Sequence, residues 1–328
     1  MVYMVISIPK RHIVLALKVL VVLLGVWFCA LAIMAIAAPK PVSHNPPHDD
    51  KKPGHAAAAT NPVAYAYTDG TQKLFPGNRI VALYGSPSAP RLGALGEQPL
   101  EQAIARAKQL ASDYQPYTSE RMMPALEIIT TVASSSPTAN NDYSNELDAS
   151  ALQPWIEAAK AAGVYVVLDL QPGRTDFLSQ AKLYESLLRE PNVGLALDPE
   201  WRLGANQLPL QQIGSVDVSE INATSAWLAD ITKQVKLPQK LFLVHQFRNS
   251  MIGNRALMDT SYPELSYVIQ MDGNGAQSTK QSTWSAIRQN PPANVLFGWK
   301  NFYDEDHPVL SPEATMALDP KPWYISYQ

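Results

Sequence analysis

Asp198 and Glu200 stand two residues apart at the end of a short apolar run, Val193-Gly-Leu-Ala-Leu197. On extended backbone, side chains two apart project to the same side, so the two carboxyls face one another. Like charges that close raise one pKa, which is how a general acid stays protonated near neutrality. Other apolar runs deliver similar groups. Tyr84 closes one run and Glu127 lies within another. Further runs end in Asp169 with Gln171, in His245 with Gln246, in Gln270 with Asp272, and in Trp299-Lys-Asn-Phe-Tyr-Asp304.

Paired carboxyls beside amides and aromatic rings are what glycosidic-bond hydrolysis requires. One carboxyl protonates the leaving oxygen, and the other acts as nucleophile or activates a water or a substrate amide. Glu200 is the expected acid, Asp198 its pKa modulator, and Asp169 or Asp304 the second carboxylate. Expected substrate contacts are Tyr84, Glu127, Gln171, Trp201, His245, Gln246, Asp272, Trp299, Lys300 and Tyr303. Structural roles compete for several of them. Asp169 has Arg174 nearby in sequence, Glu200 has Arg202, and the run Asp304-Glu305-Asp306 suits a solvated loop. His245 suits a satisfied core position equally well. Lys300 is read as lying past its strand, which disfavours Schiff-base chemistry. No H-x-H, H-E-x-x-H or cysteine cluster is present, so no metal or other cofactor is expected, with an all-oxygen Asp/Glu site the one remote option.

These residues need elements to position them. Eight short β-branched runs alternate with helical patterns: Arg79–Tyr84, Pro124–Thr131, Val164–Leu170, Val193–Asp198, Lys240–His245, Leu265–Met271, Asn294–Trp299 and Lys321–Ser326. Near-continuous apolar runs such as Val164–Leu168 suit parallel strands buried on both faces. Helical patterns cover Pro99–Tyr114, Ala149–Ala162, Phe177–Arg189, Val218–Val235, Asn249–Met258, Thr279–Gln289 and Ser311–Ala317. Start signals include Asp148-Ala-Ser150, Ser219 and Ser311-Pro-Glu313, and Gly163 is a stop signal. Eight β/α alternations with no G-x-G-x-x-G turn after the first run predict an α/β (β/α)8 TIM-type barrel over residues 79–328. Its catalytic residues would sit at the C-terminal strand ends. No helix pattern follows the eighth run, so residues 61–78 are expected to cover that side.

The chain divides before the barrel begins. Of 328 residues, 46% are apolar, yet Val19–Ala38 is uninterrupted and uncharged. With Ile13–Leu17 before it, the stretch reads as a transmembrane anchor or signal peptide over 13–38. Lys10, Arg11 and Lys18 are basic, so residues 1–12 are expected in the cytoplasm and the remainder outside. Ala35-Ile-Ala37 offers a cleavage site, which would leave the barrel secreted. Residues 39–78 form a Pro-rich linker and lead-in. The first 60 residues hold six basic and two acidic groups, so the overall charge of −3 conceals +4 followed by −7. That acidity excludes a nucleic-acid partner. The lone Cys29 lies in the apolar segment, so the exported part has no disulfide.

Asp198-x-Glu200 at the end of the fourth run resembles the D-x-E ending of strand 4 in chitinase-like and related glycoside hydrolase barrels, where the Glu is the acid. The longer acidic repeat of that motif is absent here. Val167–Asp176, Gly194–Trp201 and Gly298–Asp306 together look like an uncharacterised family of exported bacterial (β/α)8-barrel proteins, a similarity spanning most of residues 79–328. The expected function is an extracytoplasmic glycoside hydrolase acting on cell-envelope or extracellular polysaccharide, tethered to the membrane by its N-terminal helix. The alternative is a non-catalytic envelope protein that binds glycan or a protein partner.

Overall fold

The computed structural model describes residues 72–87 and 89–328. The expected anchor or signal segment at 13–38 and the linker up to residue 71 lie outside the described residues. Among the described residues no helix is long and apolar enough to cross a membrane.

Eight parallel strands close into a ring: β1 (Asn78–Gly85), β2 (Arg121–Ala133), β4 (Tyr165–Leu170), β5 (Val193–Leu197), β7 (Lys240–Gln246), β9 (Leu265–Met271), β10 (Leu296–Asn301) and β11 (Tyr324–Tyr327). Each neighbours the next in sequence order, and β1 pairs with both β2 and β11 to complete the ring. All eight runs expected from sequence are barrel strands. A short β3 (Ser144–Glu146) pairs antiparallel with the end of β2, and β6 (Val216–Asp217) pairs with β8 (Ile252–Gly253) outside the ring.

The helices are α1 (Leu100–Tyr114), α2 (Ala149–Ala162), α3 (Phe177–Leu183), α4 (Glu185–Leu188), α5 (Val218–Gln234), α6 (Gln277–Ile287) and α7 (Pro312–Met316). Their ends follow side-chain chemistry. Asp148 caps α2 by accepting from the Ser150 amide, and Gly163 ends it in the left-handed region at φ 70°. Asp217, not Ser219, caps α5; Ser219 donates its amide to it.

Two helical expectations need correction. Phe177–Arg189 is broken at Tyr184, whose backbone leaves helical geometry at φ −108° and ψ 18° while its hydroxyl shares one hydrogen between the carbonyls of Thr130 and Leu147. Asn249–Met258 is no α-helix but two single turns around β8, because Gly253 is followed by Asn254 at φ 55°. The side of β11 is also covered differently. Ile325 and Tyr327 pack outward against Ala111 and Tyr114 of α1 and Met316 of α7. The lead-in instead plugs the bottom of the barrel, where buried Leu74 and Phe75 join Ile80, Met123, Tyr165 and Leu241.

Above that plug lies a layer of Ala82, Ala125, Val167, Ala196, Leu243 and Val268. These inward side chains occupy alternate strand positions, as the pleat requires. The outward set, including Leu126, Leu168, Leu195, Val244 and Ile269, packs under the helices in the main core. Gly298 makes room inside: a Cβ there would lie 2.9 Å from the Tyr324 carbonyl and 3.3 Å from Gln270.

Candidate active site at the C-terminal mouth

Two residues above the apolar layer, the inward positions become polar all round the ring. Ala82 is followed by Tyr84, Ala125 by Glu127, Val167 by Asp169, Ala196 by Asp198, Leu243 by His245, Val268 by Gln270, Gly298 by Lys300 and Tyr324 by Ser326. All eight are essentially buried. An unpartnered charge at such depth costs several kcal/mol, so the layer is held by mutual pairing.

His245 is its hub. Its Nε2 lies 3.0 Å from Glu127 Oε1 and 3.7 Å from Asp169 Oδ1, and its Nδ1 lies 3.1 Å from Asp272 Oδ2. Lys300 Nζ lies 3.0 Å from the other Asp272 oxygen and 3.5 Å from the centre of the Tyr84 ring. Tyr84 donates to Asp169 Oδ2 at 3.0 Å, Tyr324 to Glu127 Oε2 at 2.9 Å, and Gln270 to the Ser326 hydroxyl at 2.6 Å. Burial works against the imidazolium, yet Asp272 and Asp169 hold it charged well above the ordinary range of a histidine. Burial would likewise raise Asp272, but Lys300 and His245 together lower it to about 2. Asp272 is therefore a fixed anion.

Asp198 and Glu200 approach Asp272. One oxygen each from Asp198, Glu200 and Asp272 lies within 4.8 Å of the others. Burial, then Glu200 beside it, pushes the Asp198 carboxyl well above the carboxylate range, and its Oδ1 has no hydrogen-bond partner. Burial, then Asp272, raises Glu200 to about 7. Asp169 rises to about 6, through burial against the opposing pull of His245. Glu200 is partly exposed, unlike Asp198 at 1%. It sits in the single turn Pro199–Trp201 that follows β5, held where the Gly214 amide donates to its backbone carbonyl. This trio is also the group of described residues spaced for a hard cation.

The competing arginine pairs do not form. Arg202 binds Glu220 at 2.9 Å, and Arg174 lies over the Tyr143 ring while donating to the Gln207 carbonyl. The β4 loop that carries Arg174 is pinned at Gly173, where φ is 59° and a Cβ would sit 2.2 Å from the Asp142 carbonyl.

The remaining expected residues divide by the parity of their strand positions. Tyr84, Glu127, Asp169, Asp198, Glu200, His245, Asp272 and Lys300 converge. Lys300 needs correction: it belongs to β10 and points into the barrel, because the strand continues to Asn301. Trp299 points outward, fully buried, with its ring 5.7 Å from that of Trp284 and its Nε1 donating to Asn301. Gln246 is buried on the outer side and accepts from Arg255, and the Gln171 side chain accepts from the Ala133 amide. Trp201, next to Glu200 in the same single turn, is partly exposed. Tyr303 lies apart, exposed and stacked near Tyr327. Asp304 is exposed on the loop after β10. The acid of that loop that turns inward is Asp306, paired with buried Lys280. Tyr324 and Ser326 were not among the expected residues, although counting two from each inward position of the last run would have marked them.

No protein-family profile matches the chain, and no curated protein sequence matches it. Among solved structures the chain is similar to the dihydropteroate synthase of Burkholderia cenocepacia complexed with 7,8-dihydropteroate. The identity is 14%, over 77% of this chain and 86% of that one, with a TM-score of 0.32. The TIM-type assignment rests on the closed ring of eight parallel strands itself.

Proposed function

We propose that the barrel is an extracytoplasmic glycoside hydrolase, tethered by the N-terminal segment, that acts on cell-envelope or extracellular polysaccharide. The observation that carries this reading is the separation of two neighbouring carboxyls in acidity. Glu200 is held near 7 and Asp272 near 2, with their oxygens within 4.8 Å. Carboxyls whose environments drive them apart in this way supply an acid and an anion at the same pH.

Glu200, the member open to solvent, protonates the departing glycosidic oxygen. Asp272, kept ionised by Lys300 and His245, attacks the anomeric carbon or stabilises its developing positive charge. Burial, and then the like charge of Asp272, keeps the proton on Glu200. Trp201, partly exposed and next to Glu200, is the ring assigned to stack on a sugar. One oxygen from each carboxyl of the trio lies within 4.8 Å of the others, closer than the roughly 6.5–9.5 Å of an inverting pair and in keeping with the roughly 5 Å of a retaining pair. The test is a panel of envelope polysaccharides incubated with the full-length chain and with Glu200→Gln. New reducing ends with the native chain and their loss in a folded variant support the reading. A variant as active as the native chain removes it.

A further inference from the structure

The mouth carries more carboxyl groups than cations, five against two. Glu127, Asp169, Asp198, Glu200 and Asp272 face it, against His245 and Lys300. The nearby cations are committed elsewhere. Arg202 is bound to Glu220, Lys280 to Asp306 and the Lys300 carbonyl, and Arg255 to Gln246 and the carbonyls of Ile287 and Gln289. Asp198 is the sharpest symptom: it is 1% exposed, its Oδ1 has no partner, and it offers an oxygen to the trio. A buried acceptor left open at a solvent-reachable mouth is a place for a donor from outside.

We infer that the substrate carries a protonated amine, as a de-N-acetylated amino sugar does, and that its ammonium group docks among Asp198, Glu200 and Asp272. This inference rests on the glycosidase reading and narrows its substrate class. The size of the trio suits the group. An ammonium has three tetrahedral donors, and acceptors at about 2.7–2.9 Å from its nitrogen lie about 4.4–4.7 Å apart. The three carboxylate oxygens lie within 4.8 Å of one another. A divalent cation fits an all-oxygen trio of similar size. However, both Asp272 oxygens already face a cation, at 3.0 and 3.1 Å, and these oppose a double charge twice as strongly as a single one.

The test is calorimetric binding to the full-length chain at about pH 6, where a sugar amine is protonated. The probes are a fully de-N-acetylated glucosamine oligomer, its N-acetylated counterpart of equal length, and calcium chloride alone. The amine oligomer should bind about tenfold to a hundredfold more tightly than the N-acetylated one, the range for a hydrogen bond to a charged group. Added salt should shrink that preference, and Asp198→Asn, checked for an unchanged melting profile, should remove it. Should the variant fail to fold, the comparison of the two oligomers on the native chain and its salt dependence decide alone. Equal affinities, or tighter binding of the N-acetylated oligomer, overturn the inference, as does calcium that binds and displaces the amine oligomer. Amine-selective binding without cleavage leaves this inference standing and removes the hydrolase reading. Cleavage of N-acetylated glycans with no amine preference does the reverse.

Discussion

Replacing Glu200 with Gln should make the protein more stable, and only at neutral to alkaline pH. Glu200 rises from an ordinary 4.5 to about 7 in the folded chain, first because it is buried and then because Asp272 lies beside it. Between those values the unfolded chain has released this proton while the folded chain still holds it. Native stability therefore falls as pH rises through that window, and the full cost is present above about 7. A rise from 4.5 to about 7 corresponds to ~3 kcal/mol. Part of this returns when Asp198 ionises more easily beside a neutral Gln, which leaves about 2 kcal/mol for the variant. Urea unfolding at several pH values measures it, because a stability change moves the midpoint without changing the slope. The variant and the native chain should unfold together near pH 4 and separate by about 2 kcal/mol near pH 8. Equal stability at both, or the same gain at both, would refute the claim that this carboxyl is held in its neutral form.

Other perturbations separate the parts of the mouth. His245→Gln leaves Glu127 and Asp272 without their shared cation and should cost about 3–5 kcal/mol in the same urea assay; a loss below ~1 kcal/mol would show that the hub is not an imidazolium. Trp201→Ala should weaken glycan binding by calorimetry with little change in melting temperature. Trp299→Ala should do the opposite, losing about 3–5 kcal/mol of stability, and the reversed pattern would mean that the wrong tryptophan faces the sugar. Proton NMR of the first-formed product should show the anomeric configuration of the substrate retained, since the trio's oxygens, within 4.8 Å of one another, lie closer than the roughly 6.5–9.5 Å of an inverting pair; inversion would move the second carboxylate away from Asp272.

The strands were readable because a barrel strand buried on both faces is written as a continuous apolar run, and all eight runs fell where the ring places them. The same continuity hides which face each residue takes. In Phe297-Gly-Trp-Lys-Asn301 no alternation of polar and apolar residues shows that Lys300 points inward and Trp299 outward. Ending that strand at Trp299 therefore left Lys300 on a loop and gave a buried tryptophan to the substrate. Parity counted from the small inward residues, Ala82, Ala125, Ala196 and Gly298, settles both. The acids were visible by type and spacing, and Asp198-x-Glu200 was visible as a pair. What no spacing could give was the partner that separates them, because Asp272 and Lys300 lie 74 and 102 residues from Asp198 and meet it through closure of the ring. Local charge pairing misled for the same reason: Arg174 and Arg202 are near Asp169 and Glu200 in sequence, yet both turn outward to Tyr143 and Glu220.

The central claim is that Glu200 delivers the proton to the leaving oxygen, and leaving-group dependence tests it most directly. On a glycan that the native chain cleaves, Glu200→Gln should slow turnover by about a hundredfold to ten-thousandfold, the contribution of a positioned acid. On an aryl glycoside of the same sugar, whose leaving group departs without a proton, the variant should keep most of the native rate of bond cleavage. Equal losses on both substrates, or no loss on either, would contradict the assignment.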